Sequence, residues 1–458
     1  MTLSRLASLL LDGAAERPIA SVDDQTVNLE QFRADVASAI SQIEEAQCRR
    51  GLVVCDDAYW AMVGMFALAH AGAETVFPPN ALPSTAAALS GAFDHILTDG
   101  AQQGGSIQLN SGIRRTSPIL PANADAARIN LFTSGSSGTP KRVVKTLRQL
   151  ELEAEVVDRV LGKIVPECAR VHATVAHQHL YGLTFRLCWP LATGRPFFNR
   201  PHQFWEPLLA SVKHGDVLVT TPSHLSRLGA LPSLPSDRRP SAVLSGGAPL
   251  PDAAATSARV LLGCPVREFV GSTEAGVIAS RLHVDVEAPS WQPLPGVTVT
   301  RLDDGRMRVR SPYILNAEDE LGGDFIEFDG AGGFRLLGRA DRIAKIEGVR
   351  VSLSEFDSRM AELSGVARAA VVLLPGDIPH LGGVVMLDAD GEKELAESGA
   401  FWLGRRLRRD LARCLPEAAL PRRWRFVKQL PAGLLGKVSA ADLAALFDVS
   451  NGTGEQAE

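Results

Sequence analysis

The chain is 458 residues long, 45% hydrophobic and 22% charged, with a formal net charge of −5. That length calls for two or more domains with a sizeable core, and the mild acidity excludes nucleic-acid binding through overall charge. The six cysteines include no C-x-x-C pair, which argues against a disulfide framework or a zinc site and fits a reducing, cytoplasmic compartment.

The opening MTLSRLASLLLDGAAERP places Leu6, Leu9 and Leu10 at helical spacing before Asp12 interrupts the run. It reads as a packed first helix rather than a secretion signal, and no later stretch is apolar for long enough to span a bilayer. TVNLEQFRADVASAISQI puts Phe32, Val36, Ile40 and Ile43 on one helical face, with Asn28 and Gln31 spaced as a capping box. GLVVCDD reads as a buried strand, after which Asp57 caps a helix that Gly72 stops. ETVFPP and HILTDG are further short strands. This alternation predicts an α/β fold whose mixed or parallel sheets are packed with helices.

LFTSGSSGTPKRVVK, residues 131 to 145, crowds small hydroxyl and glycine residues together and follows them with Lys141, Arg142 and Lys145. Backbone amides, hydroxyls and ammonium groups in such a run can cradle a phosphate. It is no Walker A loop, since G-x-x-x-x-G-K-[S/T] cannot be read there. Taken alone, the run is equally a surface loop.

From VTVTRLDDGRMRVRSPYI onward the texture changes to short strands and Gly/Asp turns such as FDGAGGFRLLG. Val349, Val351 and Leu353 then alternate as in a strand, and Ser352 and Glu355 box the start of a helix carrying Phe356, Met360 and Leu363. A small α+β unit is therefore expected after about residue 338. In FWLGRRLRRDLARCLPEAALPRRWRF the part up to Leu415 sets Leu403, Leu407, Leu411 and Leu415 on one face and five arginines elsewhere. That basic face is either plain solvated surface or a docking site for an anionic partner. The final VSNGTGEQAE is polar enough to be read as a disordered tail.

Five further segments follow the Ser/Gly run in a fixed order: VLSGGAPL, EFVGSTEAG, GGD, GRADRIAKIEGVRV and LPAGLLGKVS. With them the chain resembles, over nearly its whole length, the adenylate-forming superfamily. Its members are acyl- and aryl-CoA synthetases, peptide-synthetase adenylation domains and luciferase-like AMP-binding enzymes. The resemblance implies a large adenylation domain (1–338), a small mobile C-terminal lid (339–447) and a tail (448–458). It also implies a two-step reaction. A carboxylate attacks the α-phosphate of magnesium-bound ATP, releasing pyrophosphate, and a thiol then displaces AMP.

The same resemblance distributes the roles. Thr133, Ser134, Gly135, Ser136, Ser137, Gly138, Thr139 and Lys141 hold the β- and γ-phosphates. Thr273 reaches the α-phosphate, Glu274 holds Mg2+, and Gly246, Gly247 and Ala248 lie along the adenine. Asp324 binds the ribose, Arg339 makes a second nucleotide contact, and Asp341 is the hinge. Lys437 bridges the α-phosphate and the attacking carboxylate, and Lys345 replaces it for thiol transfer. A cation there suits the meeting of two anions. His179 gates the carboxylate, with His177, Tyr181, Leu183, Gly246, Gly247, Ser272 and Val277 as pocket walls. In place of the family's adenine-stacking aromatic stands Val270, with Phe269 beside it as a substitute.

The chain shows neither the Asp that grips an α-amino group nor a basic residue placed for a second carboxylate. The expected acid is therefore aryl or fatty, and the polar handles favour a hydroxylated aromatic acid such as 4-hydroxybenzoate. The expected acceptor is coenzyme A or the phosphopantetheine thiol of an acidic acyl carrier protein. The alternatives are a medium- or long-chain fatty acyl-CoA synthetase and, in another class, a non-catalytic adenylate-binding regulator. Neither a nucleic acid nor a membrane is an expected partner.

Overall fold

The computed structural model of the chain describes residues 3–22, 25–81, 83–100, 105–110, 117–133, 141–229, 231–284, 289–314, 319–339, 342–346, 349–375, 380–415, 417, 420–431 and 440–448. It divides into two compact units, residues 1–299 with 309–320, and residues 300–308 with 321–458. The strands Glu320–Phe328 and Phe334–Arg339 thus group almost entirely with the C-terminal unit, ahead of the break at residue 338 that the sequence suggests. The two strands pair antiparallel, Asp324 opposite Arg339 and Phe328 opposite Phe334, and so travel together.

The first unit is built on two sheets. In the nine-stranded sheet Val171–Ala173, Val217–Thr220, Ala242–Gly246 and Val266–Ser272 lie side by side and parallel, with antiparallel pairs towards both edges. Val217–Thr220 and Ala242–Gly246 are buried at every position, the pattern a parallel strand covered on both faces must have. The six-stranded sheet contains Arg50–Val54 and Glu74–Phe77 as parallel neighbours and ends on the antiparallel hairpin Arg128–Thr133/Lys141–Thr146.

Local signals behave as their chemistry dictates. The helix Leu29–Glu45 buries Phe32, Val36, Ile40 and Ile43, and Asn28 Oδ1 accepts from Gln31 N at 3.0 Å. The Gln31 amide turns instead to Asp35, so only half of the box forms. Asp57 caps Ala58–His70, and Gly72 follows at φ +73°. The opening apolar run is one 3-10 turn and one α-turn, with Leu6, Leu9 and Leu10 buried.

The second unit contains the two-stranded sheet Ile343–Ile346/Val349–Ser352 and a three-stranded sheet of Val366–Leu374, His380–Leu387 and Arg423–Phe426. Leu353 begins the helix Leu353–Ala361 rather than continuing the strand, and Phe356 and Met360 anchor its buried face. The helix Ala389–Leu411 breaks at Gly399 (φ +78°), and Leu403, Leu407, Leu411 and Leu415 are buried as their spacing predicts. Four thiols are buried, while Cys168 in the first unit and Cys414 in the second are exposed; all six are free. Among the described residues no helix is long and apolar enough to cross a membrane.

Candidate active site

In an open α/β sheet, ligands bind beyond the carboxyl ends of the parallel strands, where loops diverge and backbone groups are left over. Four adjacent strand ends of the large sheet carry predicted site residues. Val171–Ala173 leads to His177 and His179, and Val217–Thr220 ends beside Tyr181, whose hydroxyl donates to the Thr220 carbonyl at 3.1 Å. Ala242–Gly246 ends on Gly246 and leads to Gly247 and Ala248, and Val266–Ser272 leads to Thr273 and Glu274. Gly246 is required by packing, because a Cβ there would stand 2.7 Å from the Tyr181 ring.

The Ser/Gly run joins two antiparallel strands in which Thr133 and Lys141 are directly opposite. The run thus lies between two strands, whereas a P-loop lies between a strand and a helix. Residues 134–140, with the expected phosphate contacts Ser134, Gly135, Ser136, Ser137, Gly138 and Thr139, lie outside the described residues.

At its far end the exposed Lys141 ammonium donates to Glu274 Oε1 at 2.7 Å, a contact that raises the lysine's pKa. Burial works to raise the Glu274 carboxyl, but the Lys141 hydrogen bond and charge overcome it and hold the group below its ordinary value. The sequence separates these two residues by 133 positions, and the fold brings them together.

Two members of the basic tail do not face this opening. Arg142 donates to Asn130 and pairs with Glu74. Lys145 is 1% exposed, and its ammonium donates to the backbone carbonyls of Glu274 and Tyr313, each at 2.6 Å. Burial pushes it down to about 8, against the opposing pull of Glu153, Glu274 and Glu320. Glu153 is equally buried: Oε1 accepts from Val277 N at 2.7 Å and Oε2 from the Thr184 hydroxyl at 2.9 Å. The sequence reading missed Lys145 and Glu153 as structural groups. The signal was there, since Lys145 shares a strand face with buried Val143 and Glu153 lies on a helix between buried Leu150 and Val157.

Ser272 closes the turn, its hydroxyl accepting from Ala275 N at 2.9 Å, so it serves the hairpin as well as the rim. Leu183 is fully buried and Val277 nearly so. Phe269 points into the core, 4% exposed with its ring centroid 4.5 Å from that of Phe185. It therefore cannot take over adenine stacking from Val270.

His177 is 2% exposed, edge-on to Phe77, with no hydrogen-bond partner for Nε2. Burial, then the charges of Arg186 and His179, push it down to about 3, so it is neutral in ordinary buffers. Arg186, fully buried, donates to the carbonyls of Val175, Phe198 and Asn199 and so fixes the segment that leads to His177. His179 caps the short turn Leu180–Gly182, its carbonyl accepting from Leu183 N at 2.8 Å.

In the second unit Asp324 and Arg339 are cross-strand partners on one rung, so the two expected nucleotide contacts share a place in the ladder. Lys345 stands in Ile343–Ile346 opposite Arg350. Asp341 and Lys437 lie outside the described residues.

A family model for AMP-binding enzymes matches residues 53–313, more than half of the chain. The protein therefore belongs to the AMP-binding enzymes of the adenylate-forming superfamily, ligases of the AMP-forming acid–thiol type. It is 29% identical over 321 residues to a 4-coumarate–CoA ligase of Rhodobacter capsulatus, covering 70% of this chain and 77% of that protein. It is 22% identical over 316 residues to a 3,4-dihydroxybenzoate–[aryl-carrier protein] ligase of Bacillus anthracis, covering 67% and 71%. Among solved structures, a benzoate CoA ligase from Burkholderia xenovorans LB400 shares the fold with a TM-score of 0.80 at 20% identity, covering 96% of this chain and all of the other.

Proposed function

We propose that this enzyme activates an aryl carboxylic acid, such as a hydroxybenzoate, as its acyl-adenylate and passes the acyl group to a thiol of coenzyme A or a carrier-protein phosphopantetheine. The observation that carries the reading is the meeting of Lys141 and Glu274 beside four parallel strand ends. The relatives that act on 4-coumarate, 3,4-dihydroxybenzoate and benzoate support an aryl acid.

In the first step a carboxylate oxygen bonds to the α-phosphorus and the bond to the β-phosphate oxygen breaks, with pyrophosphate leaving. In the second the thiol gives up its proton to solvent, its sulfur bonds to the acyl carbon, and the bond from that carbon to the phosphate oxygen breaks, with AMP leaving. Most of the catalysis is positioning and neutralisation. Glu274 fits a magnesium site: it is a hard oxygen donor, ionised, with a cation (Lys141) already against it. Magnesium held there with the phosphates would neutralise their developing charge.

Lys141 and the amides of the Ser/Gly hairpin would hold the β- and γ-phosphates. Backbone atoms of Gly246, Gly247 and Ala248 would receive the adenine, and Asp324 and Arg339 the ribose side. His177, being neutral, would orient the acid by hydrogen bonding rather than by proton transfer. Lys437 would bridge the two anions in the first step and Lys345 face AMP in the second, exchanged about a hinge at Asp341.

For the acceptor, the helix Ala389–Leu411 and its extension supply a basic surface. Arg406 and Arg408 are engaged by Glu394, Asp410 and backbone carbonyls, whereas Arg405, Arg409 and Arg413 are exposed, the last two also pairing with Asp410. Arg405 stands over exposed Phe401 and Trp402, a mixed basic and aromatic surface suited to an acidic carrier.

The test is exchange of labelled pyrophosphate into ATP across a panel of aryl and alkyl acids. Exchange confined to alkyl acids would overturn the aryl assignment, and none with any acid would overturn adenylation. Lys437→Ala is expected to lower adenylate formation by roughly 10²–10³-fold while sparing thiol transfer from preformed adenylate.

A further inference from the structure

The turn that carries Thr273 and Glu274 is gripped from beneath by two buried charges of opposite sign. Strand alternation puts Lys141, Val143 and Lys145 on one face of Lys141–Thr146. Lys141 meets the Glu274 carboxylate at the rim, while Lys145 goes under the turn to the Glu274 carbonyl and, on the other side, to that of Tyr313. Three residues along the same turn, Glu153 takes the Val277 amide. Burial pushes the Glu153 carboxyl up, with the Lys145 charge and the bonds from Thr184 and Val277 working against it, and both its oxygens act as acceptors. A donor on the carbonyl and an acceptor on the amide match the turn's own dipoles.

Between these two grips Gly276 sits at φ +74°, where a Cβ would lie 2.7 Å from the Tyr313 ring and 3.0 Å from Glu153 Oε1. The backbone therefore has no room to drift towards either group.

An apolar pair of similar volume would fill this interior at a lower desolvation cost. Charge-assisted bonds to backbone groups offer instead direction and stiffness. We propose that Lys145 and Glu153 are positioning residues that clamp the Thr273–Val277 turn and so set how firmly magnesium–ATP is held for attack. The consequence rests on the adenylation reading; the clamp itself rests only on the geometry.

The experiment compares wild type, Lys145→Met, Glu153→Gln and the double variant by thermal melting, amide exchange over residues 271–277, and magnesium titration of pyrophosphate exchange. Each single variant leaves one buried charge uncompensated and is expected to melt at a lower temperature. In the double variant the neutral pair regains most of that stability, yet amide exchange in the turn stays fast. Its half-saturating magnesium rises and its kcat falls, each by about tenfold, the scale of one lost charge-assisted hydrogen bond. KM for the acid is expected to rise less than the half-saturating magnesium, because of the clamped turn only Val277 is an expected wall of the acid pocket.

Recovery of wild-type amide exchange and magnesium dependence in the stable double variant would overturn the clamp, and so would loss of stability alone. If wild type exchanges no pyrophosphate with any acid, the adenylation reading falls. The amide-exchange comparison, with calorimetric titration of magnesium–ATP, then decides the clamp by itself.

Discussion

Two hairpins bring the charged groups of the site together, and they are constructed by opposite rules. The one ending Arg128–Thr133 and beginning Lys141–Thr146 spans seven residues rich in hydroxyl and glycine, with its charge placed at the exit. The other reverses Val266–Ser272 into Gly276–His283 through three residues, held by the Ser272 hydroxyl, a left-handed glycine, Lys145 and Glu153. The first, on the reading proposed above, would share a polyanion among many equivalent donors. The second offers one carboxylate at one place, and the interior is spent on keeping it there. Distributed recognition tolerates the loss of a member; a single fixed ligand does not.

The largest effect that would sharpen this contrast is expected from Glu274→Gln. It keeps the shape but removes the charge, and should lower adenylate formation by about 10²-fold or more, read as kcat/KM with saturating magnesium. Gly276→Ala should come next. A Cβ at positive φ and 2.7 Å from Tyr313 is expected to cost about 1–3 kcal/mol of stability and to slow adenylation about tenfold, measured by denaturant unfolding and pyrophosphate exchange.

A third strand end gives a pH test. The folded protein keeps His177 neutral down to about pH 3, against 6.5 for an unperturbed imidazole. As the pH falls from 7 to 5 the unfolded chain gains that proton and the folded chain does not, which costs about 2 kcal/mol of stability. His177→Gln should remove that part of the acid sensitivity in paired unfolding curves. The smallest effect is expected at Ser137→Ala, about three- to fivefold in KM for ATP, the scale of one hydrogen bond among several. A loss as large as that of Glu274→Gln would break the contrast between the hairpins.

The sequence made the chemistry of this site legible where residue types are tied to ordered motifs. Lys141 and Glu274 meet, and Asp324 is paired with Arg339 on one rung; the ring lying against Gly246, which the sequence assigned to the adenine, is that of Tyr181. It could not show which side of a strand a residue takes when neighbouring positions are all apolar. Phe269 looked available for a nucleotide base, but its strand is covered on the Phe185 side and turns it inward. Lys145 was counted with the phosphate-facing cations because charge dominates a linear reading. Its strand parity with Val143 is what sends it inside. The division near residues 300 and 320 was hidden for a similar reason: ladder pairing across a turn has no signature in local composition.

The pattern of thiols has a practical consequence. With four sulfurs sealed in the interior, Cys168 and Cys414 offer one reactive handle on each unit. A donor and an acceptor dye attached there, with no engineered cysteine, would turn the enzyme into its own ruler and test whether the distance between the two handles changes during turnover.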